Sequence, residues 1–167
     1  RGKVSGMDHV DEIIEQWAKE RPDLDTAPMA LLGRLLKLQQ HTSKATGETF
    51  NQFGLNAAAF DVLATLRRSG PPYRLSPGAL MDMTMVTSGT MTNRIDQLVK
   101  AGLVERIKNP DDGRGFLIAL TDKGFKLVDE AVTAHVETQK DLTSRLSDAD
   151  RETLSALVKK SLATFEE

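Results

Sequence analysis

The stretch Leu75–Thr121 constrains this chain more than any other, because its local signals demand a helix, a turn, a second helix and a hairpin in that order. Thr87 or Ser88 can cap the second helix, since a hydroxyl accepts from the first free backbone N–H groups. Gly102 ends it where positive φ is easiest. Met91, Ile95 and Leu98 recur at i, i+4 and i+7 and predict one buried stripe. The remaining faces carry Ser88, Thr90, Thr92, Asn93, Arg94 and Gln97. Such hydroxyls, amides and guanidinium groups hydrogen-bond phosphate oxygens and base edges in a major groove. The same composition also suits the solvated face of an ordinary amphipathic helix.

The hairpin favours the first reading. Leu103–Lys108 and Gly115–Leu120 read as two short strands around a Pro110-Asp111-Asp112-Gly113 turn. Arg114 follows the tip. A basic residue on a thin β-ribbon beside a reading helix can enter a minor groove, whose negative potential attracts arginine. A local ion pair with Asp111 or Asp112 is the plainer role, and the two are compatible.

This pattern resembles the MarR family of winged helix-turn-helix regulators. The wing motif Asp112-x-Arg114-x-x-x-Ile118-x-Leu120-Thr121, followed by Lys123-Gly124, carries the resemblance, together with Gly102-Leu103-Val104 at the helix exit. It implies a mainly α fold with a small β-wing, a winged helix-turn-helix with long terminal dimerisation helices. By the same resemblance, Ser76 to Asp82 is the supporting helix and Thr87 to Ala101 the recognition helix. The DNA-binding residues would be Ser88, Thr90, Thr92, Asn93, Arg94 and Arg114.

The rest of the chain fits one domain over 1–167, with an extra N-terminal helix over 7–20, dimerisation helices over 28–50 and 122–166, and the winged region over 56–121. Val10, Ile13, Ile14 and Trp17 mark the first helix, which Arg21-Pro22-Asp23 stops. Leu31, Leu32, Leu35, Leu36 and Leu38 give the second a broad apolar face, and fraying is expected near Gly47. Asn56 can cap a third helix, Ala57 to Ser69, and Thr121 caps one reaching about Arg145. Ser147-x-x-Asp150 reads as a capping box opening a last helix with Leu154, Leu157, Val158, Leu162 and Phe165. These stripes exceed what one small core can cover, which predicts a homodimer paired through terminal helices.

Composition removes several alternatives. Among 167 residues there is no cysteine, so a thiol switch, a cysteine zinc site and a disulfide scaffold are excluded. No apolar run approaches the roughly 18 residues of a membrane span, and no secretion signal is evident, so a cytoplasmic protein without membrane partners is expected. The net charge is -2, but between Phe60 and Thr121 eight basic residues stand against six acidic ones. The reading segment is therefore mildly basic. His9, His41 and His135 are isolated, so no metal site is expected. No catalytic constellation or cofactor loop appears, and an enzyme is not expected. The Met81, Met83, Met85 and Met91 cluster reads as adaptable packing around the recognition helix.

The extra N-terminal helix also resembles a urate-responsive branch of the family, which carries a tryptophan there, an Asp and an Arg seven residues apart, and an Arg in the recognition helix. Trp17, Asp61, Arg68 and Arg94 stand at the matching positions, and Arg67 leaves the register open by one residue. The resemblance implies a small aromatic anion effector, urate or a similar purine, held by an Arg fork and covered by Trp17. Helix dipoles alone favour Asp61 near a helix start and Arg68 near its end, and Trp17 can serve as core. The expected function is a ligand-responsive repressor that binds a pseudo-palindromic double-stranded DNA operator as a dimer and is released by that anion. A winged-helix interaction module without specific DNA binding is the alternative.

Overall fold

The computed structural model describes residues 6–85 and 91–166. In chain order it contains α1 (His9–Glu20), α2 (Ala27–Asn51), α3 (Ala57–Arg68), β1 (Arg74–Leu75), α4 (Pro77–Met83), α5 (Met91–Lys100), β2 (Val104–Lys108), β3 (Phe116–Leu120), α6 (Asp122–Leu142) and α7 (Asp148–Leu162). The chain divides into two compact units, Arg1–Ala45 and Thr46–Glu167.

In the first unit, Asp8 caps α1 and forms a reciprocal capping box with Asp11. Val10 is the buried residue of α1 and lies against Gly33 of α2. Arg34 then clamps both acidic residues, with 2.8 Å from Nε to Asp8 and 2.6 Å from a terminal nitrogen to Asp11. This guanidinium holds the Asp8 carboxyl down at about 2. Helix α2 continues through Gly47 to Asn51, where fraying was expected. The helix is sustained there because Thr49 and Phe50 are buried: Thr49 shares a 2.6 Å hydroxyl hydrogen bond with Thr138 and Phe50 stacks on Phe60 at 4.3 Å. Leu31, Leu32, Leu35, Leu36 and Leu38, expected to bury a broad face, are exposed in the chain alone.

The second unit is built around α3. Asn56 caps it by accepting from the Ala59 amide, and Val62, Leu63 and Leu66 are fully buried. They join Leu80 of α4, Ile95 and Leu98 of α5, Val104 and Ile118 of the sheet and Val128 of α6 in one core. The sheet is antiparallel in the order β1-β3-β2, with Val104 opposite Leu120 and Lys108 opposite Phe116. Strand β1, absent from the expected hairpin, pairs Arg74 with Ala119 and Leu75 with Ile118. Tyr73 precedes it at φ 56, accepting from the Leu120 amide. Arg67 braces this corner, with its guanidinium 5.4 Å from the Tyr73 ring, 4.5 Å from the Phe125 ring and 2.7 Å from Asp129.

The end of α5 is fixed by the start of α6. The Lys123 ammonium donates to the Ala101 carbonyl at 3.0 Å, the Thr121 hydroxyl to Gly102 at 2.7 Å and the Thr121 amide to Leu103 at 3.2 Å. Gly124 permits this approach, because a Cβ there would lie 1.9 Å from the Leu103 carbonyl oxygen. The Gly124→Ala change should therefore destabilise the fold by about 2–4 kcal/mol, as overpacking against backbone does. Gly33→Ala, whose Cβ meets only Val10 methyls at 3.6 Å or more, should be neutral or stabilising by up to about 1 kcal/mol. Urea unfolding of both variants checks the contrast.

His135 of α6 lies 4.9 Å from Phe50 and 5.1 Å from Phe60, and its Nδ1 is buried with no partner among the described residues. Burial holds its pKa below the usual imidazole value. The folded state thus prefers the neutral ring, whereas the unfolded chain takes up a proton near pH 6.5. Stability from this group is complete above that pH and declines as pH falls towards the lower folded value. Between about pH 7.5 and 5.5, the melting temperature of His135→Leu should drop less than that of the wild type.

Candidate nucleic-acid interface and ligand residues

Helix α4 opens with Ser76, whose hydroxyl accepts from the Ala79 amide at 3.2 Å, and with Pro77 at its first position. Leu80 anchors it in the core. Helix α5 then presents Met91, Ile95 and Leu98 inward, as their spacing requires. Thr92, Asn93, Gln97 and Lys100 are exposed, while Arg94 and Asp96 are half-buried on opposite flanks. Ser88 and Thr90, and the expected cap at Thr87 or Ser88, lie outside the described residues.

The wing is formed by β2 and β3. Its tip is tied by backbone: Asn109 donates to the Gly115 carbonyl and Gly115 to that of Asp112, each at 3.0 Å. Asp112 accepts from the Arg114 amide at 3.1 Å, so the aspartate orders the loop through the main chain. The Arg114 guanidinium is exposed and forms no hydrogen bond or ion pair among the described residues. The ion pair with Asp111 or Asp112 is therefore not formed, and the cation remains available to an anionic partner.

The four expected ligand residues occupy different settings. Asp61 is buried in α3, and Arg68 is exposed at the end of the same helix. The Arg68 guanidinium donates to the Met83 carbonyl, closing the C-terminal end of α4. Arg94 lines a cavity of about 360 Å³ with Asn93 and Gln97, facing Leu55, Asn56 and Ala59 at the start of α3. Arg68 and Arg94 therefore do not meet at one contact. Trp17, on α1 in the first unit, is 41% exposed.

Two expectations about neighbouring side chains change. Met91 is buried, but Met81, Met83 and Met85 are exposed, Met85 by 85%, so they do not pack around α5. The short α4 leaves only Leu80 to face inward, and Met81 and Met83 turn outward. Sequence reading also missed Lys100, which shares the outward face of Asn93 seven residues earlier, and the ion pair from Asp96 of α5 to Arg106 of β2. Opposite charges flanking the Gly102 turn are the only signal for that pair.

Residues 53–115 match the MarR family model. The HTH-type transcriptional regulator PecS of Dickeya dadantii is 40% identical over 149 residues, covering 89% of this chain and 90% of the relative. The chain belongs to the MarR family. Among solved structures, a mutant of MarR from Escherichia coli in complex with operator DNA aligns at a TM-score of 0.69 and 29% identity, over 87% of this chain and 97% of that one. BpsR of Bordetella bronchiseptica, whose DNA binding is regulated by 6-hydroxynicotinic acid, aligns at 0.68 and 28% identity over 77% and 91%. In this MarR family chain, Arg114 is exposed at the wing tip with its guanidinium unpaired among the described residues. Arg114→Ala should reduce the salt dependence of duplex binding by about one unit of slope for each wing engaged, measured by fluorescence anisotropy against salt concentration.

Proposed function

We propose that this MarR family regulator is a dimeric repressor of a pseudo-palindromic operator, with half-sites about one helical turn apart. The observation that carries the reading is the pairing of a polar outward face on α5 with an uncommitted Arg114 on the wing. Thr92, Asn93, Gln97 and Lys100 would face the major groove, with Arg94 at its edge, and Arg114 would reach the minor groove; Ser88 and Thr90, outside the described residues, join this reading from the sequence alone. The operator complex of the Escherichia coli relative supports this assignment.

Dimerisation follows from the apolar surface left open. Leu31, Leu32, Leu36 and Leu38 are exposed on α2, and no residue of α7 is buried although Leu154, Leu157, Val158 and Leu162 line it. Apolar faces of this extent are stable in water only when covered. A second copy covers both and sets two reading helices about a two-fold axis.

The effector in this reading is a small aromatic anion, urate or a related purine, held by the Arg68 fork, with Asp61 and Arg94 as the residues that respond to its charge; Trp17 enters from the sequence resemblance. The 6-hydroxynicotinic acid response of BpsR supports a planar heteroaromatic anion as the class. Binding would draw the Arg68 fork away from the Met83 carbonyl and repel the Asp61 carboxylate, loosening the support of α5. A coupling of about 1–3 kcal/mol suffices for partial release of DNA. Isothermal titration calorimetry with urate, and salicylate as comparator, tests the site. Saturable urate binding in the wild type, lost in Arg68→Ala, is expected; no urate heat, or equal binding by both proteins, would remove the purine reading.

A further inference from the structure

The recognition helix and the wing are joined outside the core by a bridge of side chains. Asp96 leaves the flank of α5 that faces the sheet and pairs with the Arg106 guanidinium on β2. That guanidinium also lies 5.8 Å from the centre of the Phe116 ring on β3. Arg106 sits opposite Ile118 in the ladder, with Phe116 one side-chain step further towards the tip. One cation thus touches the reading helix and both wing strands at mid-ribbon. Exposed ion pairs add little to folding stability, and both members here are substantially exposed. The consequence of the bridge is geometric: buried Val104 and Ile118 hold the inner face of the wing, and Arg106, at the level of Ile118, adds a lateral tie from mid-ribbon to α5.

We propose that Asp96, Arg106 and Phe116 form a strut that holds the wing at a fixed angle to α5, making Arg106 a positioning residue for operator binding and not a phosphate contact. The inference rests on the operator-binding reading above. The strut sets the spacing between the helix that enters one groove and Arg114, which must reach the next. Without it each wing samples more orientations, and the entropy of ordering them is spent on binding.

The sign of one substitution separates this role from simple charge. Asp96→Asn removes a carboxylate beside the DNA, which by electrostatics alone strengthens binding. The strut predicts weaker binding, by about fivefold for each wing engaged. The probe is the duplex that the wild-type protein enriches from a random-sequence library. Arg106→Gln should weaken binding by a similar factor without changing the salt slope, and the double variant should be no weaker than either single one. Exchanging the two residues, Asp96→Arg with Arg106→Asp, should recover part of the loss. Hydrogen exchange at the β2 and β3 amides needs no DNA and should quicken in Asp96→Asn while the melting temperature stays near that of the wild type. Tighter or unchanged operator binding by Asp96→Asn, a slope reduced by one unit in Arg106→Gln, additive losses in the double variant, or unaltered amide exchange would each overturn the strut. If the wild type enriches no duplex, the operator reading fails, and the amide exchange still decides whether the bridge stiffens the wing.

Discussion

The winged-helix unit is pinned at three successive carbonyls just past the end of α5. Ala101, Gly102 and Leu103 accept from the Lys123 ammonium, the Thr121 hydroxyl and the Thr121 amide in turn. A helix end carries partial negative charge and unpaired acceptors, and a lysine placed there answers both. The Gly102 backbone at φ 72 turns the chain into β2, and the absent side chain at Gly124 lets α6 begin against the Leu103 carbonyl. The sequence motif that marks the wing is therefore also the joint between the recognition helix, the sheet and the long helix α6.

That joint is continued by packing. Helix α6 packs on α3 through Val128 and Ala131, and α3 supports α5 through the shared core. Arg67 ties the end of α3 to Asp129 and Phe125, while its neighbour Arg68 holds the last carbonyl of α4. Two adjacent arginines thus serve two different elements. Arg67 is committed to the α6 side, and Arg68 faces α4.

Elements specified by local chemistry were legible in advance. The caps Asn56, Thr121 and Ser147 and the stripe of Met91, Ile95 and Leu98 depend on residues within one or two turns, and all form as their spacing requires. The hairpin was legible because turn residues sit between two runs of strand formers. Strand β1 was not, since a two-residue strand has no periodicity and exists only through pairing with β3 some forty residues on. Continuity of α2 past Gly47 likewise depended on Phe60 and Thr138, distant partners that outweigh a glycine's unfavourable propensity. The candidate site followed the same rule. The outward face of α5 could be read from period, but whether Arg114 was paired, where Arg68 would donate and that Asp96 would meet Arg106 were properties of the fold.

A protein of net charge -2 cannot hold duplex DNA by bulk attraction, so its affinity must come from where a few cations are held. Arg114 has its backbone fixed by Asp112 and its charge left open, which places a carboxylate at the tip without cancelling the guanidinium. The carboxylate of Asp96 is similarly spent on Arg106. Acidic residues in this region thus order the wing, Asp112 through the backbone of Arg114 and Asp96 through the side chain of Arg106. A weakly basic surface built this way depends on geometry for what it lacks in charge.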